Sequence, residues 1–159
     1  FFADKANNSL KMTRKFLAPR QLVWDCFTKS ELLDQWYAPK PLTVKTKSMD
    51  FRPGGHWHYV MTEQNGTEYW NFVEFITIKP IDTYTVLDSF SNEAGEINKE
   101  LPRAEWRINF IDKGEKLTMV ETVVKYGSLS DLETVIEMGV QEGVKLTYDN
   151  LDVILEGLL

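Results

Sequence analysis

The chain has 159 residues, 24 of them acidic and 18 basic, for a net charge of −6 at pH 7. No run of Lys or Arg forms a stripe, so nucleic acid and anionic membrane surfaces are poorly matched partners. No apolar run reaches the ~20 residues that cross a bilayer, and Cys26, the single cysteine, can form no internal disulfide. A cytoplasmic protein without membrane insertion is expected, and Phe1-Phe2-Ala3 is too short an apolar run to read as a signal peptide. Five Trp, six Tyr and nine Phe must be housed in a core, a pocket or an interface.

Taken in order, residues 1–11 with Asn7-Asn8-Ser9 read as a loose N-terminal arm, and residues 12–159 as one domain. Met12 to Leu17 is a strand candidate. Pro19 suits the first turn of a helix, where its missing N–H is no loss, and Val23, Trp24 and Phe27 then recur at helical spacing. Ser30 opens a second short helix through Leu32, Leu33 and Trp36, stopped by Pro39 and Pro41.

From Leu42 the period becomes two. Val44, Thr46 and Ser48 alternate with lysines up to the turn Arg52-Pro53-Gly54-Gly55. His56 to Met61 follows, with Trp57, Tyr59 and Met61 on one face and His56, His58 and Val60 on the other, the latter expected to face solvent. Asn65-Gly66 signals a two-residue hairpin, Glu68 to Ile78 a long strand, and Thr83 to Phe90 the next. Ser91 to Pro102 is the one polar loop long enough to be mobile. Arg103 to Ile111 and Lys116 to Lys125 complete six strands joined as hairpins, hence an antiparallel sheet.

Ser128 to Leu159 reads as one helix of roughly 48 Å at 1.5 Å per residue, opened by a capping box from Ser130 to Glu133. Ile136, Val140, Val144, Thr147, Leu151, Ile154, Leu155 and Leu158 form its apolar stripe. Such a helix must bury that stripe on the sheet. Gly139 and Gly143, a turn apart beside it, leave either close backbone approach or unfilled space. Leu146 and Val153 lie off the stripe, so either the sheet wraps far enough to cover them or they meet a second copy of the chain in a two-fold homodimer.

Five motifs stand in order along the chain: Ala18-Pro19-Arg20 with Val23-Trp24, Leu33-Asp34-Gln35-Trp36-Tyr37-Ala38-Pro39, Asp50-Phe51-Arg52-Pro53-Gly54-Gly55-His56-Trp57, Gly66-Thr67-Glu68-Tyr69 and Met138-Gly139-Val140-Gln141-Glu142-Gly143. Together they resemble those of START-like (SRPBCC) proteins, in the branch named after the activator of the heat-shock-protein ATPase (AHSA1-like). The likeness spans roughly residues 12–157. It implies an α+β helix-grip fold: a curved antiparallel sheet of about six to seven strands wrapped around the C-terminal helix, with two short helices after the first strand. It also implies an apolar cavity between sheet and helix, but no common reaction, because members include carriers, cyclases and co-chaperones. Two departures stand out, Val144 where the family commonly has a large aromatic and Val73 where a glycine is frequent.

Trp36, Trp57, Tyr59, Met61, Phe75, Trp106, Gly139 and Gly143 are the expected cavity residues, with Trp36 and Tyr37 at the entrance. Glu74, Glu121 and Tyr59 are weak catalytic candidates, each depending on an inward orientation. His56 and His58 could supply two metal ligands, but no further Cys or carboxylate completes a zinc set, so no metal is expected. No cofactor motif is present, since Pro53-Gly54-Gly55 precedes a strand whereas phosphate loops open a helix. Cys26 reads as a buried small hydrophobe rather than a nucleophile. The expected function is binding or carriage of a hydrophobic small molecule. The alternatives are an enzyme acting on such a ligand, of the polyketide cyclase or hydratase kind, and a chaperone-related interaction module.

Overall fold

The computed structural model describes residues 1–159. Its elements are β1 (Phe2–Asp4), β2 (Ser9–Phe16), α1 (Arg20–Thr28), α2 (Ser30–Leu33), β3 (Thr43–Met49), β4 (His56–Thr62), β5 (Glu68–Lys79), β6 (Thr83–Ser91), β7 (Ala104–Asp112), β8 (Thr118–Tyr126), α3 (Leu129–Glu137) and α4 (Val140–Leu158). All eight strands form one antiparallel sheet in the order β1-β2-β8-β7-β6-β5-β4-β3. Strands β3 to β8 are a meander of hairpins. β2, set apart in sequence by the two helices, returns to pair with β8 from Ser9↔Lys125 to Phe16↔Thr118. The α+β helix-grip arrangement is thus present, with one strand more than the upper expectation. The extra strand lies in the N-terminal segment expected to be loose, where Phe2, Ala3 and Asp4 pair with Lys11, Leu10 and Ser9. Backbone pairing to an open sheet edge orders a segment whose side chains show little periodicity.

Turn chemistry explains two corners. A Cβ on Gly55 would lie 2.0 Å from the Asp50 carbonyl oxygen, so only glycine allows that approach between β3 and β4. Asn65-Gly66 does close the β4–β5 hairpin, though not as a two-residue loop. The turn runs Glu63–Gly66, with the Gly66 N–H donating to the Glu63 carbonyl at 2.9 Å, and Gly66 follows in the left-handed region at φ 91°. Bulges between Thr46 and Ser48 and between Phe75 and Thr77 bend the sheet.

The C-terminal stretch is two helices rather than one. Gly139 adopts φ 87°, which ends α3 and starts α4; an L residue with a side chain is strained there. The capping residue is Ser128, whose hydroxyl accepts from the Asp131 N–H at 3.0 Å, in place of the expected Ser130–Glu133 box. Along α4, Thr147, Leu151 and Leu155 are buried as the stripe requires and Tyr148 joins them, while Leu158 is exposed. The opposite face meets Arg14 from β2, which pairs with Asp149 at 2.8 Å and with Asp152. Leu146 is half-buried and Val153 is 61% exposed, so the sheet does not wrap far enough to cover that line.

Two apolar clusters hold helices to sheet. The larger is aromatic, with Trp24, Phe27, Tyr84 and Phe110 meeting edge to face around α1. The smaller joins Leu10, Met12, Ala104, Val124 and Tyr126 to Leu132 of α3. Trp106 and Val144 pack against both.

The outer face of β4 and β5 is covered rather than solvated. His58 is 4% exposed, rests against Trp70 and Phe72, and its Nε2 lies 3.0 Å from the Asn92 carbonyl. The polar segment after β6 supplies that lid, and Lys47 Nζ donates to the Glu93 carbonyl at 2.6 Å beside it. A second aromatic layer under a loop is invisible to an alternation argument, which assigns that face to water.

Candidate functional site

The register of five strands sets the inner face of the sheet as three rows. The middle row runs Trp57, Val73, Asp88, Ala104, Tyr126. Above it run Tyr59, Asn71 and Phe90, and below it Phe75, Val86, Trp106 and Val124. Asp88 therefore stands at the centre of the sheet, flanked by the short side chains of Val73 and Ala104. Opposite, α3 and α4 meet at Gly139, and α4 presents Gly143 and Val144. A Cβ at Gly139 or Gly143 would meet nothing within 4 Å. Small residues on both layers leave a cavity of about 340 Å³, a size that suits a small organic molecule.

Its sheet-side wall includes Tyr59, Met61, Asn71, Asp88, Trp106 and Tyr126. Val140, Gly143, Val144, Thr147 and Tyr148 close it from α4, and Tyr37 and Leu42 from the segment after α2. Tyr69 and Met138, both exposed, lie at its rim.

The wall is mostly apolar, with a few polar groups that the fold leaves without partners. Asp88 Oδ1 and Trp106 Nε1 are buried and make no hydrogen bond. Burial pushes the Asp88 carboxyl up to about 7, against a smaller opposing pull from the Ser89 backbone N–H. Burial also holds the Tyr37 and Tyr59 phenols well above their ordinary range, and the neighbouring Asp88 charge adds to it. Tyr126 is raised for the same two reasons. The Tyr148 hydroxyl lies 3.3 Å from Thr122 Oγ1. The cavity thus presents neutral phenols around one carboxyl that titrates near neutrality.

Of the residues expected from sequence, Tyr59, Met61, Trp106, Gly139 and Gly143 lie on this cavity. Trp36 does not guard an entrance; it is fully buried, donates its N–H to the Cys26 carbonyl at 3.0 Å, and leaves its neighbour Tyr37 to face the cavity. Trp57 and Phe75 belong to the aromatic core, with the Trp57 N–H held by Thr46 Oγ1 at 3.0 Å. Glu74 and Glu121 point away from the cavity. Glu74 pairs with Arg103 at 3.1 Å on the outer face, and Glu121 with Lys11 at 3.4 Å. Inward positions on β8 are instead Val120, Thr122 and Val124, all fully buried.

Asp88 is not among the residues expected from sequence, although a signal for it exists. Tyr84, Val86, Asp88 and Phe90 share one face of a strand by period-two alternation, and a carboxylate on that face is the anomaly. His56 bonds Ser48 Oγ at 2.8 Å and stacks on Phe72, which places it with His58 on the outer face, away from the cavity.

An antiparallel sheet gripping a C-terminal helix over a cavity between the two layers defines a START-like (SRPBCC) protein. A family model described as Activator of Hsp90 ATPase homolog 1-like protein matches residues 17–156, and the chain belongs to that family. Among solved structures, protein Ms6760 from Mycobacterium smegmatis is 27% identical, with a TM-score of 0.88 over 97% of this chain and 94% of that one. A protein from Staphylococcus epidermidis is 26% identical, with a TM-score of 0.86 over 100% and 96%. One from Arthrobacter aurescens, 24% identical with a TM-score of 0.90 over 97% and 89%, shares the fold. No curated protein matches the sequence.

Proposed function

We propose that this protein binds a hydrophobic small molecule in the cavity between the sheet and α3–α4. The observation that carries the reading is the cavity itself, about 340 Å³, open to solvent at its rim and lined mostly by apolar and aromatic side chains from both layers. Glycines at 139 and 143 and the short side chains of Val73, Ala104 and Val144 line or flank space that larger residues would fill. Native mass spectrometry of protein purified from its own host, looking for a co-purified apolar molecule, tests this. A thermal-shift screen of fatty acids, flavonoids and polyketide-like aromatics is the companion test, because a ligand that binds only the native state raises the melting temperature. An empty protein that no compound stabilises refutes the proposal.

A second reading, acid–base chemistry on such a ligand, is favoured by one observation. A carboxyl near neutrality stands among the phenols of Tyr37, Tyr59 and Tyr126, as a proton-transfer group would. Turnover of a bound compound that disappears in Asp88→Asn while binding persists supports it. Unchanged compound after prolonged incubation leaves carriage as the function.

The exposed Val153 and half-buried Leu146 support self-association along α4. Two such side chains per partner contribute only a few kcal/mol at ~25 cal/mol per Å², so further surface must take part. Sedimentation equilibrium that stays monomeric at rising micromolar concentration removes it.

A further inference from the structure

Resting on the cavity as a binding site, we propose that its ligand carries a basic nitrogen on an apolar body, the protonated nitrogen pairing with Asp88 inside a ring of aromatic side chains. Asp88 is the only charged residue that lines the cavity, and one of its carboxylate oxygens has no partner. A half-buried carboxylate with one oxygen buried and unpaired is costly to charge, and the fold supplies no cation to offset it. Arg103 is held on the outer face by Ser89 Oγ at 2.8 Å and Glu74 at 3.1 Å, and Arg14 is held by Asp149 and Asp152. Without a ligand the group is relieved only by holding its proton; a cation brought by the ligand would offset it while charged.

The surroundings fit that partner. Tyr37, Tyr59, Trp106 and Tyr126 bring aromatic rings to the same space, and such rings attract ammonium groups through their negative faces. Val73 and Ala104, the cross-strand neighbours of Asp88, are too short to shield it. Gly143 keeps the helix side open. A chain carrying a net charge of −6 also attracts cations and repels carboxylates at long range. A fatty acid, by contrast, would set a second carboxylate against Asp88.

Three probes of one shape test this: 2-(2-naphthyl)ethylamine, 2-(2-naphthyl)ethanol and 2-naphthylacetic acid, titrated calorimetrically at pH 8 into the wild type and Asp88→Asn. The expected result is that the amine binds the wild type at least tenfold tighter than the alcohol, the acid binds weakest, and the amine's advantage disappears in the variant. Equal binding of amine and alcohol by the wild type overturns the inference and leaves the cavity reading standing. An amine preference that survives in Asp88→Asn overturns it too, since another group would then be the anchor. Binding of none of the three overturns both. Should the variant fail to fold, the wild type serves alone between pH 8 and pH 5. The groups facing Asp88 are the phenols of Tyr37, Tyr59 and Tyr126, with Tyr148 on α4, all neutral in that range, and His56 and His58 lie on the far face of β4. The amine's advantage must therefore fall as pH falls, and a ratio that stays flat overturns the inference.

Discussion

Replacing Asp88 by Asn in the ligand-free protein should make it more stable at alkaline pH and leave it nearly unchanged at acid pH. The folded-state carboxyl titrates at about 7 against an ordinary value of 3.8, because burial penalises its charged form. The folded chain thus holds this proton more tightly than the unfolded chain. Its contribution to stability is fully present below pH ~4, is lost as pH rises towards 7, and is level above that. At 1.36 kcal/mol per pKa unit, the rise corresponds to at most about 4 kcal/mol. Asp88 is only half-buried, and the surface it keeps open lets solvent screen part of the charge, so about 2 kcal/mol is the expected gain for the variant at pH 8. That gain is worth roughly 4–8 °C in melting temperature for a chain of this length. At pH 4 both side chains are neutral, polar and unpartnered, and the difference should vanish. Urea unfolding of both proteins at pH 4, 6 and 8 is the assay. A difference that does not change with pH, or a variant less stable than wild type at pH 8, would show that the Asp88 carboxyl is not desolvated as the structure places it.

Other substitutions probe the remaining parts. Gly143→Ala, in the interior of α4 with nothing within 4 Å of its new Cβ, should stabilise by about 0.5–1 kcal/mol through helix propensity. Gly143→Phe should fold but lose affinity for naphthyl probes at least tenfold, and calorimetry showing undiminished affinity would move the binding site elsewhere. Leu151→Ala removes a fully buried side chain between α4 and the sheet and should cost about 2–5 kcal/mol by urea unfolding. Glu74→Gln and Glu121→Gln, both on the outer face, should leave probe binding unchanged, and a tenfold loss in either would contradict the strand orientation seen here.

Period-two alternation from Val44 to Lys125 and the stripe from Val140 to Leu155 were enough to specify an antiparallel sheet packed on a C-terminal helix, since each pattern encodes which face avoids water. The family motifs from Ala18 to Gly143 agreed with that order. Local patterning also placed Tyr59, Met61, Trp106, Gly139 and Gly143 near a common space. What it could not do was rank faces that are apolar or polar on both sides. On β4, His58 looked solvent-facing because the lid after β6 that covers it is remote in sequence. On β8, Met119 and Val123 flank Glu121 as plausibly as Val120 and Val124 flank Thr122, and only pairing with β2 and β7 decided which set faces the helices. The break at Gly139 needed the backbone itself, because a glycine in a helical stripe reads the same whether its φ is negative or 87°. Above all, Asp88 acquires its character from the tertiary structure. A carboxylate's environment is the sum of what surrounds it in space, and here β4, β6, β7, β8 and α4 bring aromatic and apolar surface, and no cation, around one side chain.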